Sequence, residues 1–130
     1  MIFSEQTYHF MYAALQEAQK ALEEKEVPVG AVVVKDNKII GRGYNQVERL
    51  RDATAHAEMI ALTSASNYLK DWRLSGCSIF VTLEPCIMCT GALLSSRIDE
   101  LYFAVDDPKF GAARGAHRVR HRLAGRLLPI

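Results

Sequence analysis

Two short segments of this 130-residue chain carry side chains suited to metal-assisted hydrolysis: His56-Ala57-Glu58 and Glu84-Pro85-Cys86-Ile87-Met88-Cys89. Among their side chains are an imidazole, two thiols and, at Glu58, a carboxylic acid that a metal would not need as a ligand. Imidazole nitrogen and thiolate sulfur are common zinc ligands. A zinc held by only three protein side chains keeps its fourth tetrahedral position for water, whereas a structural zinc is closed by four. A carboxylate two residues from a ligand stands where it can move protons to and from that water. The expected metal ligands are therefore His56, Cys86 and Cys89, and the expected proton carrier is Glu58.

Each motif alone has a plainer meaning. A Cys-x-x-Cys is often a redox pair or half of a zinc ribbon, and a histidine at a helix start is often only a polar cap. Several features weigh against these. No second Cys-x-x-Cys is present to close a four-cysteine site. One histidine alone lies just before an acid at a predicted helix start. The cysteine pair follows an apolar strand through a proline. In a closed structural site Glu58 would have no use.

The ligands need elements to bring them together. Met11, Leu15, Ala18 and Leu22 recur at helical spacing and predict an amphipathic helix over 4–25, with Ser4 as N-cap and Val27-Pro28 as terminator. Val29–Val34 and Ile39–Tyr44 read as a hairpin around Lys35-Asp36-Asn37-Lys38, with a bulge marked by Gly41 and Gly43. Residues 45–54 read as a polar loop. A second helix is expected from about Ala55 to Tyr68, capped by Thr54, with Met59, Ile60, Leu62 and Thr63 as an untidy apolar face. Ser78–Leu83 is apolar at its centre, as a buried central strand is. Pro85 suits the first turn of a third helix, Cys86 to about Ser95, whose Thr90, Gly91 and Ala92 allow close packing. A turn at 97–99 leads to a strand over Glu100–Val105, and Val119–Leu123 is a candidate fifth strand. The alternation predicts helices packed on a central mixed sheet of four to five strands. Both ligand sets then sit in first turns of helices, where unpaired amides and the helix dipole lower a thiol pKa. Cys77 is expected to be a small buried residue, and Trp72 and Tyr68 to cover the second helix or meet a second subunit.

Composition narrows the class. One domain is the natural expectation at this length. With 49% hydrophobic and 24% charged residues the chain is ordinary for a soluble globular protein, and it has no apolar run near the ~20 residues of a membrane span. An odd number of cysteines speaks against a disulfide framework, and the N-terminus lacks a basic leader followed by an apolar stretch, so the cytoplasm is the expected location. The net charge of +1 hides an asymmetry. Residues 111–130 hold five arginines, two histidines and no acid, while residues 1–110 are mildly acidic. That basic arm is either a solvated tail or a contact for phosphates.

The pairing of H-x-E with P-C-x-x-C is the signature of zinc nucleobase deaminases. Beyond it, Glu26-Val27-Pro28-Val29-Gly30-Ala31-Val32, Thr54-Ala55-His56-Ala57-Glu58, Val81-Thr82-Leu83-Glu84-Pro85-Cys86-Ile87-Met88-Cys89 and Asp107-Pro108-Lys109-Phe110-Gly111-Ala112 resemble the bacterial tRNA-specific adenosine deaminases of the cytidine/deoxycytidylate deaminase superfamily. The resemblance runs from about residue 4 to 112. It implies a three-layer α-β-α sandwich of cytidine deaminase-like fold, a zinc-dependent deaminase domain over 1–112, and a basic tail over 113–130 belonging to the same domain. It also implies zinc on His56, Cys86 and Cys89, and water activated for attack on C6 of a flipped adenine, with Glu58 moving the protons. The product is inosine at the wobble position, the partner is a tRNA anticodon loop, and the chain is a homodimer. In that family an asparagine holds the base (here Asn45), a valine lies against it (Val29), and an aspartate meets the RNA backbone (Asp107).

Two departures stand beside the resemblance. Residues 113–130 are short, basic and unlike the loop, final strand and closing helix of the family, and Asp52-Ala53-Thr54 lacks the proline often found at its centre. The same metal chemistry also serves deaminases of free guanine or cytosine, and a zinc-stabilised RNA-binding module without turnover would share the motifs.

Overall fold

The computed structural model describes residues 4–113 and the backbone of 123–126. The first helix, α1 (Glu5–Glu23), opens as expected: the Ser4 hydroxyl accepts from the Thr7 amide at 3.2 Å, satisfying one N-terminal donor. It ends earlier than its apolar pattern suggests. Lys25 takes a left-handed φ of 62°. Its amide donates to the Leu22 carbonyl at 3.0 Å, and the Glu26 amide reaches back to the Ala21 carbonyl at 2.9 Å. These are the paired bonds of a Schellman turn, so backbone geometry at Lys25 stops the helix ahead of Val27-Pro28 and turns Glu26 inward.

The buried face of α1 is also not the expected one. Phe10, Met11, Ala14, Ala18 and Ala21 pack inward, while Leu15 and Leu22 are 49% and 54% exposed. The reason is a close approach. A Cβ at Gly30, beneath the helix, would strike the Ala14 carbonyl and the Ala18 amide. Over so short a gap alanine fits and leucine does not.

Strands β1 (Gly30–Lys35) and β2 (Lys38–Tyr44) form the expected hairpin. Asp36 and Asn37 both take left-handed φ, 51° and 62°, as a two-residue turn matched to strand twist requires. The register shifts between the Val33–Gly41 and Val34–Ile39 pairs, so the bulge falls at Ile40. Gly41 and Gly43 do something else. They admit α3 (Ala57–Leu69), whose Ala57, Ala61 and Ala65 face them. A Cβ at Gly41 would lie 2.6 Å from the Ala61 carbonyl oxygen and 2.8 Å from the Ala65 nitrogen. This small-on-small seam explains the untidy stripe read from sequence: α3 buries Ala57, Glu58, Ala61, Leu62 and Ala65 and leaves Thr63 in water. The segment expected as loop contains a one-turn helix, α2 (Val47–Leu50).

Strand β3 (Ser78–Leu83) leads to α4 (Ile87–Ser95) and β4 (Glu100–Val105), and Leu123–Arg126 forms β5. The candidate fifth strand over Val119–Leu123 lies, except for Leu123, outside the described residues. The sheet order is β2-β1-β3-β4-β5. Strand β1 is antiparallel to β2 and β3, and β3, β4 and β5 run parallel. Alternate residues of the strands feed two cores. Val32, Val34 and Phe80 pack with Phe10, Met11 and Ala14 on the α1 face. Val33, Ile79, Val81 and Phe103 pack with Ala61, Leu62 and Leu93 on the other. The result is the expected three-layer α-β-α sandwich on a mixed sheet. Cys77 is fully buried, as expected, whereas Tyr68 and Trp72 are about half exposed. Gly91 of α4 does not serve close packing: it is exposed, and a Cβ there would meet nothing within 4 Å. No helix among the described residues is long and apolar enough to cross a membrane.

Candidate metal centre and active-site pocket

His56 and Cys86 are the N-cap residues of α3 and α4, one step before the first-turn positions expected for them. Their backbones are extended, with φ and ψ of −76° and 154° at His56 and −74° and 179° at Cys86, and neither side chain caps its own helix. Both side chains are thereby left for each other. Thr54, the expected cap of α3, instead donates its amide and hydroxyl to the Asp52 carboxylate at 2.8 and 2.7 Å. The Thr54 carbonyl then accepts from the His56 amide at 2.8 Å. That tight turn before the helix sets the direction of the imidazole.

His56 Nδ1 lies 3.5 Å from Cys89 Sγ and 3.7 Å from Cys86 Sγ, and the three ligand atoms all fall within 4.8 Å of one another. A tetrahedral zinc, bound at about 2.0–2.1 Å to nitrogen and about 2.3 Å to sulfur, sets nitrogen–sulfur separations at about 3.5 Å. The spacing and the donor chemistry both fit.

Glu58, at the second position of α3, is buried beside them. Burial pushes its carboxyl up to about 7, opposed by hydrogen bonds from its own backbone amide and from the Cys89 thiol. Burial also pushes the Cys89 thiol upward, helped by the charges of Glu58 and Cys86. This upward direction is opposite to the lowering expected from the helix start, and its largest cause is desolvation. A bound cation would favour the charged forms of Glu58 and Cys89, opposing the effect of their burial.

The site opens into a cavity of about 670 Å³, within the size range of small-ligand pockets. His56, Glu58 and Cys86 line it, as do Val29, Asn45 and Asp107. Cys89 is fully buried. Asn45 is buried and its backbone N–H donates to the Val29 carbonyl at 3.0 Å, tying two walls together. Asp107 turns its carboxylate on its own loop, accepting from the amides of Lys109 and Phe110 at 3.1 Å each.

Residues 4–105 match the family model of the cytidine and deoxycytidylate deaminase zinc-binding region. The chain belongs to that family. It is 54% identical over 103 residues to a chloroplastic tRNA(adenine(34)) deaminase of Arabidopsis thaliana, a match covering 79% of this chain and 8% of that protein's length. It is 45% identical over 115 residues to a tRNA-specific adenosine deaminase of Streptococcus pyogenes serotype M18, covering 88% of this chain and 72% of the other. A solved structure from work on A-to-I editing by tRNA:A34 deaminases at the wobble position matches with a TM-score of 0.86 at 41% identity, over 92% of this chain and 93% of that one. Zinc is the metal this family's region binds, and the side-chain cluster of this deaminase-family chain suits it.

Two pocket residues escaped the reading of site residues from sequence. Glu26 is buried, and its carboxylate accepts from the backbone amides of Glu48 at 3.1 Å and Arg49 at 2.7 Å. Glu84 is buried and accepts from the Asp107 amide at 3.1 Å. Each acid ties down one lip of the pocket. The only signal for them was adjacency: Glu84 directly precedes Pro85-Cys86, and Glu26 opens the Glu-Val-Pro-Val run.

Proposed function

We propose that this chain is a zinc-dependent hydrolytic deaminase that converts adenosine to inosine at the wobble position of a tRNA anticodon. The observation that carries the reading is the juxtaposition of one imidazole and two thiols at zinc spacing with a buried acid outside the ligand set, three of the four (His56, Cys86 and Glu58) lining one nucleoside-sized cavity. The similarity to tRNA adenosine deaminases chooses the substrate class.

When bound to His56, Cys86 and Cys89, zinc supplies Lewis-acid activation of water at neutral pH. The chain's own residues do the rest. Glu58 accepts a proton from the attacking water, hands it to the ring nitrogen of the base, and assists departure of ammonia; its buried position keeps these transfers away from bulk solvent. Asn45 carries both a donor and an acceptor, which suits the edge of a purine. Val29 lies against the face of the base. Asp107 meets the RNA backbone, where a carboxylate suits a ribose hydroxyl better than a phosphate. The exposed Val27, Ile87 and Phe110 beside the pocket suit a second copy of the chain that completes the RNA site, giving a homodimer. Three cysteines without a disulfide suit a reducing cytoplasm.

The test is incubation of the zinc-loaded protein with an anticodon stem-loop carrying adenosine at the wobble position, and separately with free adenosine, guanine and cytosine. Inosine in the stem-loop is the expected product. Turnover of a free base with none of the RNA would replace this reading with a base deaminase. Tight RNA binding without ammonia release would replace it with a binding module.

A further inference from the structure

Helix α2 has only one turn and no side-chain cap of its own at its N-terminus. Its N-cap residue, Gln46, makes no side-chain capping hydrogen bond. Yet α2 bears Val47 and Glu48 on the pocket wall and begins two residues after Asn45. A single helical turn in isolation is not stable in water, so something else must hold it.

We infer that Glu26 is the positioning residue of the substrate pocket: its buried carboxylate caps α2 from outside the helix and thereby holds Asn45 in register with the base. The two amides it accepts, those of Glu48 and Arg49, are the second and third of the helix. An N-cap side chain ordinarily serves these same donors. Here the acceptor comes from 22 and 23 residues away, one oxygen to each amide. The Schellman turn at Lys25 aims it. Two further bonds complete the frame around Asn45: its own backbone N–H to the Val29 carbonyl at 3.0 Å, and the Gln46 backbone N–H to the Ala55 carbonyl at 2.9 Å. The Glu26 carboxylate bonds to α2 and not to the metal ligands at the starts of α3 and α4.

Hydrogen bonds to a charged acceptor contribute more than neutral ones, and leaving their donors unpaired costs more again. Loss of the carboxylate therefore frees α2 without emptying the metal site. Because Asn45 holds the base before and during reaction alike, the loss falls on KM and not on kcat.

This inference rests on the proposed deaminase reading, and its test separates the two. Wild type, Glu26→Ala and Glu26→Gln are compared as zinc-loaded full chains for zinc content, for kcat and KM on the anticodon stem-loop, and for amide hydrogen exchange over residues 45–50. Expected for Glu26→Ala is an undiminished zinc content, exchange at Glu48 and Arg49 accelerated about tenfold or more, and a KM raised about tenfold with kcat within about threefold. Glu26→Gln keeps one acceptor oxygen and recovers part of both effects. Unchanged exchange and unchanged KM in Glu26→Ala would overturn the inference, as would loss of zinc together with an equal fall in kcat. A wild-type protein inactive on the stem-loop would sink the deaminase reading alone, since the exchange comparison still decides the role of Glu26.

Discussion

The Nδ1 atom of His56 and the Sγ atom of Cys89 stand 3.5 Å apart although 33 residues separate them in the chain. They meet because α3 and α4 start side by side, and because Cys89 lies one helical turn behind Cys86 at that start. The purified protein is expected to hold about one zinc per chain. Cys86→Ser and Cys89→Ser each reduce it to well below stoichiometric, because metal binding draws on all three ligands at once. Elemental analysis after extensive dialysis is the measurement. Full retention of zinc in both variants would show that the metal, if present, sits elsewhere.

Glu58→Gln keeps the size of the side chain and removes its acid–base function. Zinc content is expected to be unchanged, while inosine formation falls by about a hundredfold to ten-thousandfold, the usual range for a general acid–base. A variant with full zinc and undiminished rate would place the proton carrier elsewhere.

The turn that leads into His56 has its own pH dependence. The fully exposed Asp52 carboxylate accepts from the hydroxyl and amide of Thr54, which hold its pKa below the ordinary 3.8. A carboxyl depressed by folding stabilises the folded state above its unfolded pKa and loses that contribution as pH falls through the folded one. The melting temperature of Asp52→Ala is therefore expected to lie below that of wild type at neutral pH, with the gap closing once the pH drops beneath about 4. A gap independent of pH would mean that the charge plays no part.

The chemistry was readable from the chain because metal ligation demands particular residue types at short spacing, and both ligand segments are local. The sheet was readable for a related reason: Ile79, Phe80 and Val81 are buried on both faces and leave no ambiguity of period. What escaped was whatever depends on contacts distant in sequence. Leu15 and Leu22 fit the apolar rhythm of α1, but the nearness of Gly30 gives the inner face to alanine. Thr54 is a good helix cap by type, but Asp52 takes its donors first. Glu26 and Glu84 look like surface acids until the fold brings the amides of residues 48, 49 and 107 to them. The upward shift of the Cys89 thiol likewise comes from burial and from Glu58, which no spacing rule contains.

Gly43 and Gly91 give the sharpest contrast between a glycine the fold requires and one it merely tolerates. A Cβ at Gly43 would collide with the Ala57 carbonyl of α3 and lie 2.7 Å from the Ala61 nitrogen. These backbone atoms cannot yield without moving the helix that begins at His56 and carries Glu58. Gly43→Ala is expected to cost about 1–3 kcal/mol in denaturant unfolding, in the manner of an overpacked core, and to lower activity by displacing Glu58. At Gly91, within α4, a methyl group meets open space. Gly91→Ala is therefore expected to stabilise by about 0.5–1 kcal/mol through helix propensity alone. Equal effects from the two substitutions would mean that α3 does not rest on β2 as closely as its alanines indicate.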